Sequence, residues 1–453
     1  MLKKNEEYIV EIIDNGTQGE GIAKINNITI FVPNTLKDEK VKIKILKVNS
    51  SYCFAKVLEI ILKSEYRQEE DCECYFKCGG CNFRHINYEK SLELKKNNVQ
   101  NTLKKSLGRE ILVDEVLGME KPIYYRNKLQ YPIGINGNGE TVMGVFAERS
   151  HRIVPVKECM IQNKECQKVA NDIFEFIKSH NISGYDEEKQ NGIFRHIVVR
   201  IGIKTSELMV TLVVNDRKIP YERELINYII EKNPNVKTIV KNLNSKNTNV
   251  ILGKENEILY GNGYIKDVLL NKYFEISPMS FYQVNPVQTE KLYSKAIEYA
   301  GLTGGETVFD LYCGIGTIGI CASDKVENLY GIETIPEAIE DAKKNAKLNN
   351  IENAEFFVGD VENELPKFIK ERNIKADVVF VDPPRKGCDK TAIDTLLEIE
   401  PNRIVYVSCN PATLARDLKI FEQKYELKKV AICDMFPGTA HVECVVALAL
   451  KLS

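Results

Sequence analysis

Apolar and polar positions keep three different rhythms along this chain. Up to about residue 60 the period is two: Val41-Lys42-Ile43-Lys44-Ile45 alternates apolar and basic residues, predicting a strand with one apolar and one lysine face. Residues 8–13 and 28–33 read as further strands around the glycine-rich turn Asn15-Gly16-Thr17-Gln18-Gly19-Glu20-Gly21. Short strands in this length predict a five-stranded OB-like barrel, an architecture that commonly binds oligonucleotides. The lysine face reads either as plain solvated surface or as sequence-independent phosphate contacts, with Lys42 and Lys44 the candidates.

The second rhythm is mixed. Residues 87–107 place Leu92, Leu94, Val99, Leu103 and Leu107 at helical spacing, with Gly108 as the expected C-cap. Lys95, Lys96, Lys104 and Lys105 are assigned to the polar side of that helix. Tyr124-Tyr125-Arg126-Asn127-Lys128-Leu129-Gln130-Tyr131 interleaves basic residues with aromatics, which suits either ordinary packing or phosphate contact with base stacking. From about 110 to 265 strands and turns dominate, with a hairpin signal at Asn136-Gly137-Asn138-Gly139, strands at 197–201 and 208–214, and one helix near 169–180.

From about residue 270 strands and helices alternate. Thr307-Val308-Phe309-Asp310-Leu311-Tyr312-Cys313-Gly314-Ile315-Gly316 is a strand running into a glycine turn, and strands at 328–333, 354–360 and 376–385 follow, with a helix over 336–348. Acids stand at four successive strand ends: Asp310, Glu333, Asp360 and Asp382. This predicts a doubly wound sheet holding an adenosine-containing cofactor, with Glu333 placed to grip ribose hydroxyls. The turn reads D-L-Y-C-G-I-G rather than G-x-G-x-x-G. Acids there oppose a pyrophosphate but tolerate a ligand with an amino group and a sulfonium, so S-adenosylmethionine is favoured over a dinucleotide. The expected organisation is residues 1–60 as an OB-like RNA-binding domain, 61–265 as a β-rich central domain with a cysteine cluster, and 266–453 as a Rossmann-like α/β methyltransferase domain.

Length and charge refine this picture. With 453 residues there is room for two or three domains, and a net charge of −2 means that any nucleic-acid surface is local. The start turns acidic at Glu6-Glu7 before any apolar h-region, and no apolar run is long enough for a bilayer. A cytoplasmic monomer without membrane partners is expected. The thirteen cysteines are unevenly spread, and in a reducing compartment they are not read as disulfides. Cys72, Cys78 and Cys81 form C-x5-C-G-G-C, a tight loop that suits thiolate ligation, with Cys159 the best candidate for a fourth ligand and Cys74 surplus. Four thiolates suit a [4Fe–4S] cluster or structural zinc equally. Cys409 ends the β-branched run Val405-Tyr406-Val407 at a strand's carboxyl end, where it reads as a packing residue or a nucleophile. The Pro-Cys loop that carries the nucleophile of DNA cytosine methylases is absent.

These motifs together resemble the RNA uracil-C5 methyltransferases, specifically the bacterial 23S ribosomal RNA (uracil-5-)-methyltransferases with a TRAM domain. The resemblance covers nearly the whole chain. It rests on the barrel, the cysteine loop, Tyr125-Arg126-Asn127-Lys128, Phe281-Tyr282-Gln283-Val284-Asn285, D-L-Y-C-G-I-G, D-P-P-R-K-G, S-C-N-P-A-T-L-A-R-D and Asp434-Met435-Phe436-Pro437 leading to His441-Val442-Glu443-Cys444. It implies cofactor contacts at Gln283, Tyr312, Glu333 and Asp382, a nucleophile at Cys409, a general base at Glu443, and a [4Fe–4S] cluster on Cys72, Cys78, Cys81 and Cys159. The implied reaction is methyl transfer from S-adenosylmethionine to uracil C5 of 23S rRNA, an activity of the EC 2.1.1 class. Two rival readings are the same chemistry on a tRNA uridine and a non-catalytic, cluster-bearing RNA-binding protein. The sequence departs from the family at Gly438, which predicts looser contacts beside Glu443, and at Thr317, which puts a cofactor contact there in question. A free thiol of pKa about 8.5 is only slightly ionised at neutral pH, so Arg385 or the helix after Cys409 is expected to favour its thiolate.

Overall fold

The computed structural model describes residues 2–372 and 374–452. At the N-terminus the period-two alternation becomes a sheet of five strands, Glu7–Glu11, Gly21–Ile25, Ile28–Val32, Lys40–Val48 and Tyr52–Leu62, with the two-residue strand Asp14–Asn15 at its edge. Val41, Ile43 and Ile45 are fully buried, and Lys42 and Lys44 point outward. Lys42 is tied to Glu7 at 2.8 Å, so part of the lysine face is neutralised internally. Gly19 in the glycine-rich turn has φ +85, and a Cβ there would lie 2.0 Å from a ring carbon of Phe83. The turn holds glycine because the cysteine loop plugs into it.

Helix Tyr88–Leu107 is capped as expected: Asn87 Oδ1 accepts from Lys90 N at 2.9 Å, and Gly108 closes the end at φ +72. Lys95 departs from its expected polar position. The buried face runs Ser91, Lys95, Val99, Leu103, Leu107, a strict i, i+4 row. Lys95 Nζ donates to Asp434 at 2.5 Å and to the Phe436 carbonyl at 3.3 Å. Burial pulls its pKa down, against the pull of Asp434 in the other direction.

The central region forms a seven-stranded sheet, with the hairpin Lys128–Ile135 and Thr141–Phe146 and the expected strands within Phe194–Ile201 and at Leu208–Val214. Its main helix spans Lys164–Ser179, starting earlier than the sequence suggests because Asn163 caps Glu165 N and Cys166 N. A second helix, Glu222–Lys232, goes beyond the sequence expectation; Tyr221 at its N-cap provides no side-chain cap, so the usual start signal is missing.

The C-terminal sheet has eight strands in the order Ala354–Val358, Asn328–Glu333, Thr307–Leu311, Val378–Val381, Arg403–Ser408, Glu443–Leu450, Tyr425–Cys433, Glu115–Leu117. The first five are parallel and Glu443–Leu450 runs antiparallel to both its neighbours. Helices cover both faces, giving one core around Leu292, Ile318 and Ile339 and another around Val99, Leu365, Leu396 and Leu418. The sheet therefore draws in residues 88–117, which the sequence partition placed in the 61–265 stretch. Among the described residues no helix is long and apolar enough to cross a membrane.

Candidate active site

Parallel pairing sets Leu311 opposite both Ile332 and Val381. One residue further along, Glu333, Tyr312 and Asp382 stand in a row across the carboxyl edge of the sheet, where doubly wound folds bind ligands. Tyr312 takes φ +61, a conformation that bulky residues rarely adopt, and Gly314 and Gly316 follow at φ +55 and +81. Glu333 is fixed from below: Gly314 N donates to its Oε2 at 3.2 Å, and Thr334 N and Ile335 N donate to its Oε1 at 2.8 and 3.1 Å.

Asp310, expected among the acids at the ligand edge, instead turns beneath it and accepts from Gly319 N at 2.8 Å. Burial lifts its pKa to about 7, with Asp382 and Glu333 adding to the effect. Burial likewise lifts Asp382 to about 7. Gln283 precedes helix Pro286–Ala300 and is held through its backbone, with Asn127 Nδ2 donating to its carbonyl at 3.1 Å. Thr317 Oγ1 lies 3.2 Å from Tyr293 Oη, so its hydroxyl turns into the core rather than toward a cofactor.

The antiparallel ladder between Arg403–Ser408 and Glu443–Leu450 ends with Ser408 opposite Cys444. The next step of that register puts Cys409 beside Glu443. Glu443 is 5% exposed, and burial followed by the nearby Asp382 pushes its pKa well above the usual carboxylate range. The Cys409 thiol is pushed up to about 11 by burial, then by Glu443 and Asp382, with Arg385 pulling in the other direction. The expectation that Arg385 or the helix N-terminus would leave a ready thiolate is overturned in the free protein. Burial and two carboxylates outweigh one guanidinium.

Asn410 caps helix Pro411–Phe421 through Ala412 N at 3.1 Å, and its amide donates to the Arg385 carbonyl at 3.2 Å. Asp417, two turns into that helix, accepts from Cys388 N at 2.9 Å and from Tyr406 Oη at 2.7 Å. Strand, nucleophile turn and the Arg385 loop are thus one fixed unit. Sequence reading misses Asp417; its one signal is an acid on the helix's buried face.

The loop ahead of Glu443 is clasped by the cysteine loop. Gly438 O accepts from Asn82 N at 3.0 Å and from Phe83 N at 2.9 Å, and Ala440 N donates to Asn82 Oδ1 at 2.8 Å. Gly438 has φ +79, and the two hydrogen bonds to its carbonyl tie this junction rather than loosen it as its sequence predicts. Tyr125 Oη donates to the Pro437 carbonyl at 3.0 Å. Tyr125 and Tyr131 are 4% and 1% exposed, so in this stretch they pack rather than offer stacking surface.

Cys72, Cys78, Cys81 and Cys159 line one cavity of about 260 Å³ together with Cys74. The Cys74 thiol lies 3.6 Å from the Pro155 carbonyl. Among the described residues no three His, Cys, Asp or Glu side chains gather closely enough for a single metal ion. The thiols instead ring a volume, and Arg84, Arg126 and Lys128 line the same cavity without a carboxylate in its wall. Burial, with Arg200 and Arg126 nearby, lowers Lys128 to about 7. The Arg126 Nε is buried with no hydrogen-bond partner among the described residues. Four soft donors around one cavity suit a thiolate-ligated metal centre, iron–sulfur or zinc, and the basic wall would balance the negative charge that either carries.

An acid-edged doubly wound sheet with a thiol facing a buried carboxylate defines the class: an S-adenosylmethionine-dependent methyltransferase. The chain belongs to the tRNA (Uracil-5-)-methyltransferase family, whose model matches residues 87–451, and residues 2–58 match the TRAM domain. It is 47% identical to an uncharacterized RNA methyltransferase of Clostridium tetani, over 99% of this chain and 97% of that one. It is 44% identical to another from Staphylococcus aureus, over 99% of both chains. The solved structure of Pyrococcus abyssi tRNA (uracil-54, C5)-methyltransferase with S-adenosyl-L-homocysteine superposes with a TM-score of 0.78 at 28% identity, covering 98% of this chain and 100% of that one. This chain is accordingly an RNA uracil-5-methyltransferase that uses S-adenosylmethionine.

The raised thiol has a direct readout. Alkylation of Cys409 by iodoacetamide, followed by peptide mass spectrometry, should rise with pH toward a midpoint near 11. Glu443→Gln removes a negative neighbour and should shift that midpoint down. A midpoint near the ordinary thiol value of about 8.5 in the wild-type protein would contradict the raised thiol.

Proposed function

We propose that this enzyme methylates C5 of a uridine in 23S ribosomal RNA through a covalent adduct on Cys409, with Glu443 as the base. The observation that carries the mechanism is the register that sets Cys409 beside Glu443, next to Asp382 at the ligand edge. Uracil C5 is a weak carbon nucleophile. Once its proton has left to solvent, the Cys409 sulfur bonds to C6, and the C5=C6 electron pair shifts onto C5 and the O4 carbonyl, making C5 enolate-like and able to attack an electrophile. When bound, S-adenosylmethionine supplies that electrophile as the methyl group on its sulfonium. Glu443 then takes the C5 proton, and the electron pair of the C5–H bond expels the Cys409 sulfur from C6. Tyr312, Glu333, Asp382 and Gln283 are the residues that would hold the cofactor. A positively charged ligand beside Asp382 and Glu443 also lowers the cost of ionising the thiol.

Cys72, Cys78, Cys81 and Cys159 are the proposed ligands of a [4Fe–4S] cluster, whose role here is to hold the loop that clasps the Glu443 segment. Ribosomal RNA as target is supported only by resemblance, the N-terminal domain combined with C-x5-C-G-G-C being similar to the pattern of the ribosomal branch. Transfer RNA is the second reading, because the Pyrococcus abyssi protein of the same architecture acts on uracil-54 of tRNA.

Mapping 5-methyluridine in 23S rRNA and tRNA from cells with and without this protein separates the two. Loss of the mark from 23S rRNA alone is expected; loss from tRNA with intact rRNA contradicts the ribosomal assignment. Protein purified anaerobically should carry about four irons and four inorganic sulfides per chain. Stoichiometric zinc without sulfide would overturn the cluster.

A further inference from the structure

On the outer face of the TRAM sheet three aromatic side chains lie against one another, Tyr52 and Phe54 exposed and Phe31 half-buried. Strands Ile28–Val32 and Tyr52–Leu62 pair in parallel with Phe31 opposite Phe54 and Thr29 opposite Tyr52. The ring centroids of Phe31, Tyr52 and Phe54 are 5.5–5.8 Å apart, and Tyr52 and Phe54 are each 38% exposed. The inward residues of the same strands, Ile30, Cys53 and Ala55, already fill the barrel core, so the outward rings add nothing to it.

The surround is basic. Lys47 pairs across from Phe54, and Lys44 stands directly opposite Lys56. Neither Lys44 nor Lys56 forms an ion pair among the described residues, unlike Lys42 with Glu7. Two lysines facing each other across an antiparallel pair destabilise it. A polyanion lying over the sheet removes that cost, while exposed ring faces offer it base stacking. The nearby acids are Glu59, opposite Lys42, and Glu7, opposite Lys44 on the strand away from the rings.

We propose that Phe31, Tyr52 and Phe54 form a stacking platform for unpaired bases of the substrate RNA, with Lys44, Lys47 and Lys56 on its phosphates. The platform rests on the chain acting on RNA and specifies the form in which RNA is held. Bases buried in a duplex cannot reach the rings, so the enzyme grips a single-stranded segment flanking its target. The grip is sequence-tolerant because every base has a π face.

The test uses the full-length protein with a fluorescent single-stranded oligouridine and an RNA duplex of equal length. Tyr52→Ala/Phe54→Ala should weaken single-strand binding by roughly 5- to 150-fold per stacked base. Its salt slope and its duplex affinity should stay at wild-type values. Lys44→Gln/Lys56→Gln should instead flatten the salt slope for both probes. Tyr52→Phe, which keeps the ring, should bind as wild type does. Unchanged single-strand affinity in the aromatic double variant, or equal weakening on duplex, overturns the platform. So does RNA-free self-association of the wild type that the double variant abolishes, which would assign the face to a second copy of the chain. None of these outcomes depends on which RNA carries the methyl mark, so the platform and the ribosomal assignment fail separately.

Discussion

The catalytic end of this protein depends on a buried ion pair. Lys95 and Asp434 are 339 residues apart in sequence and 2.5 Å apart in space, with side chains about 1% exposed. Taking one partner from such a pair typically costs about 3–5 kcal/mol, because the other charge is left buried alone. Other contacts converge on the same segment. Asn285 Nδ2 donates to Met435 O at 3.1 Å, Gln288 Nε2 to Asp434 O at 3.2 Å, and Asn82 holds Gly438 and Ala440. The segment between the last two strands is thus fixed by the first long helix, the cysteine loop and the helix after Gln283. Glu443, at the start of the final strand, inherits its position from all three.

The ligand edge is built on an opposite principle, with like charges left uncompensated. Asp310 and Asp382 are each held at about 7 by burial, Glu443 is pushed higher than its usual range, and the Cys409 thiol is raised in turn. Each of these groups therefore resists ionising more than it would in water. In the proposed mechanism the sulfonium of the bound methyl donor would favour the ionised forms of the carboxylates and of the Cys409 thiol together.

Much of this is legible in the sequence where the signal is local. Strand period, glycine turn and strand-end acids place Glu333, Tyr312 and Asp382, and a β-branched run places Cys409 at the edge. The TRAM-domain sheet is readable from the alternation at Val41 to Ile45. What sequence hides is non-local. Lys95 looks like a polar-face lysine because its partner is Asp434, although its i−4 spacing from Val99 marks the buried side. Asn82 carries no motif of its own; its importance comes from Ala440, 358 residues away. Helix Glu222–Lys232 lacks a capping signal, and the thiol's pKa is a balance of burial and three charges that no spacing encodes.

In the proposed mechanism Cys409 and Glu443 divide one addition–elimination reaction between them. Incubating Glu443→Gln with substrate RNA and S-adenosylmethionine, then resolving the products under denaturing conditions, tests that division most directly. A covalent protein–RNA complex should accumulate, with the transferred methyl on the trapped uracil and the linkage at Cys409. Normal release of methylated RNA by Glu443→Gln, or an adduct that survives Cys409→Ala, would contradict it.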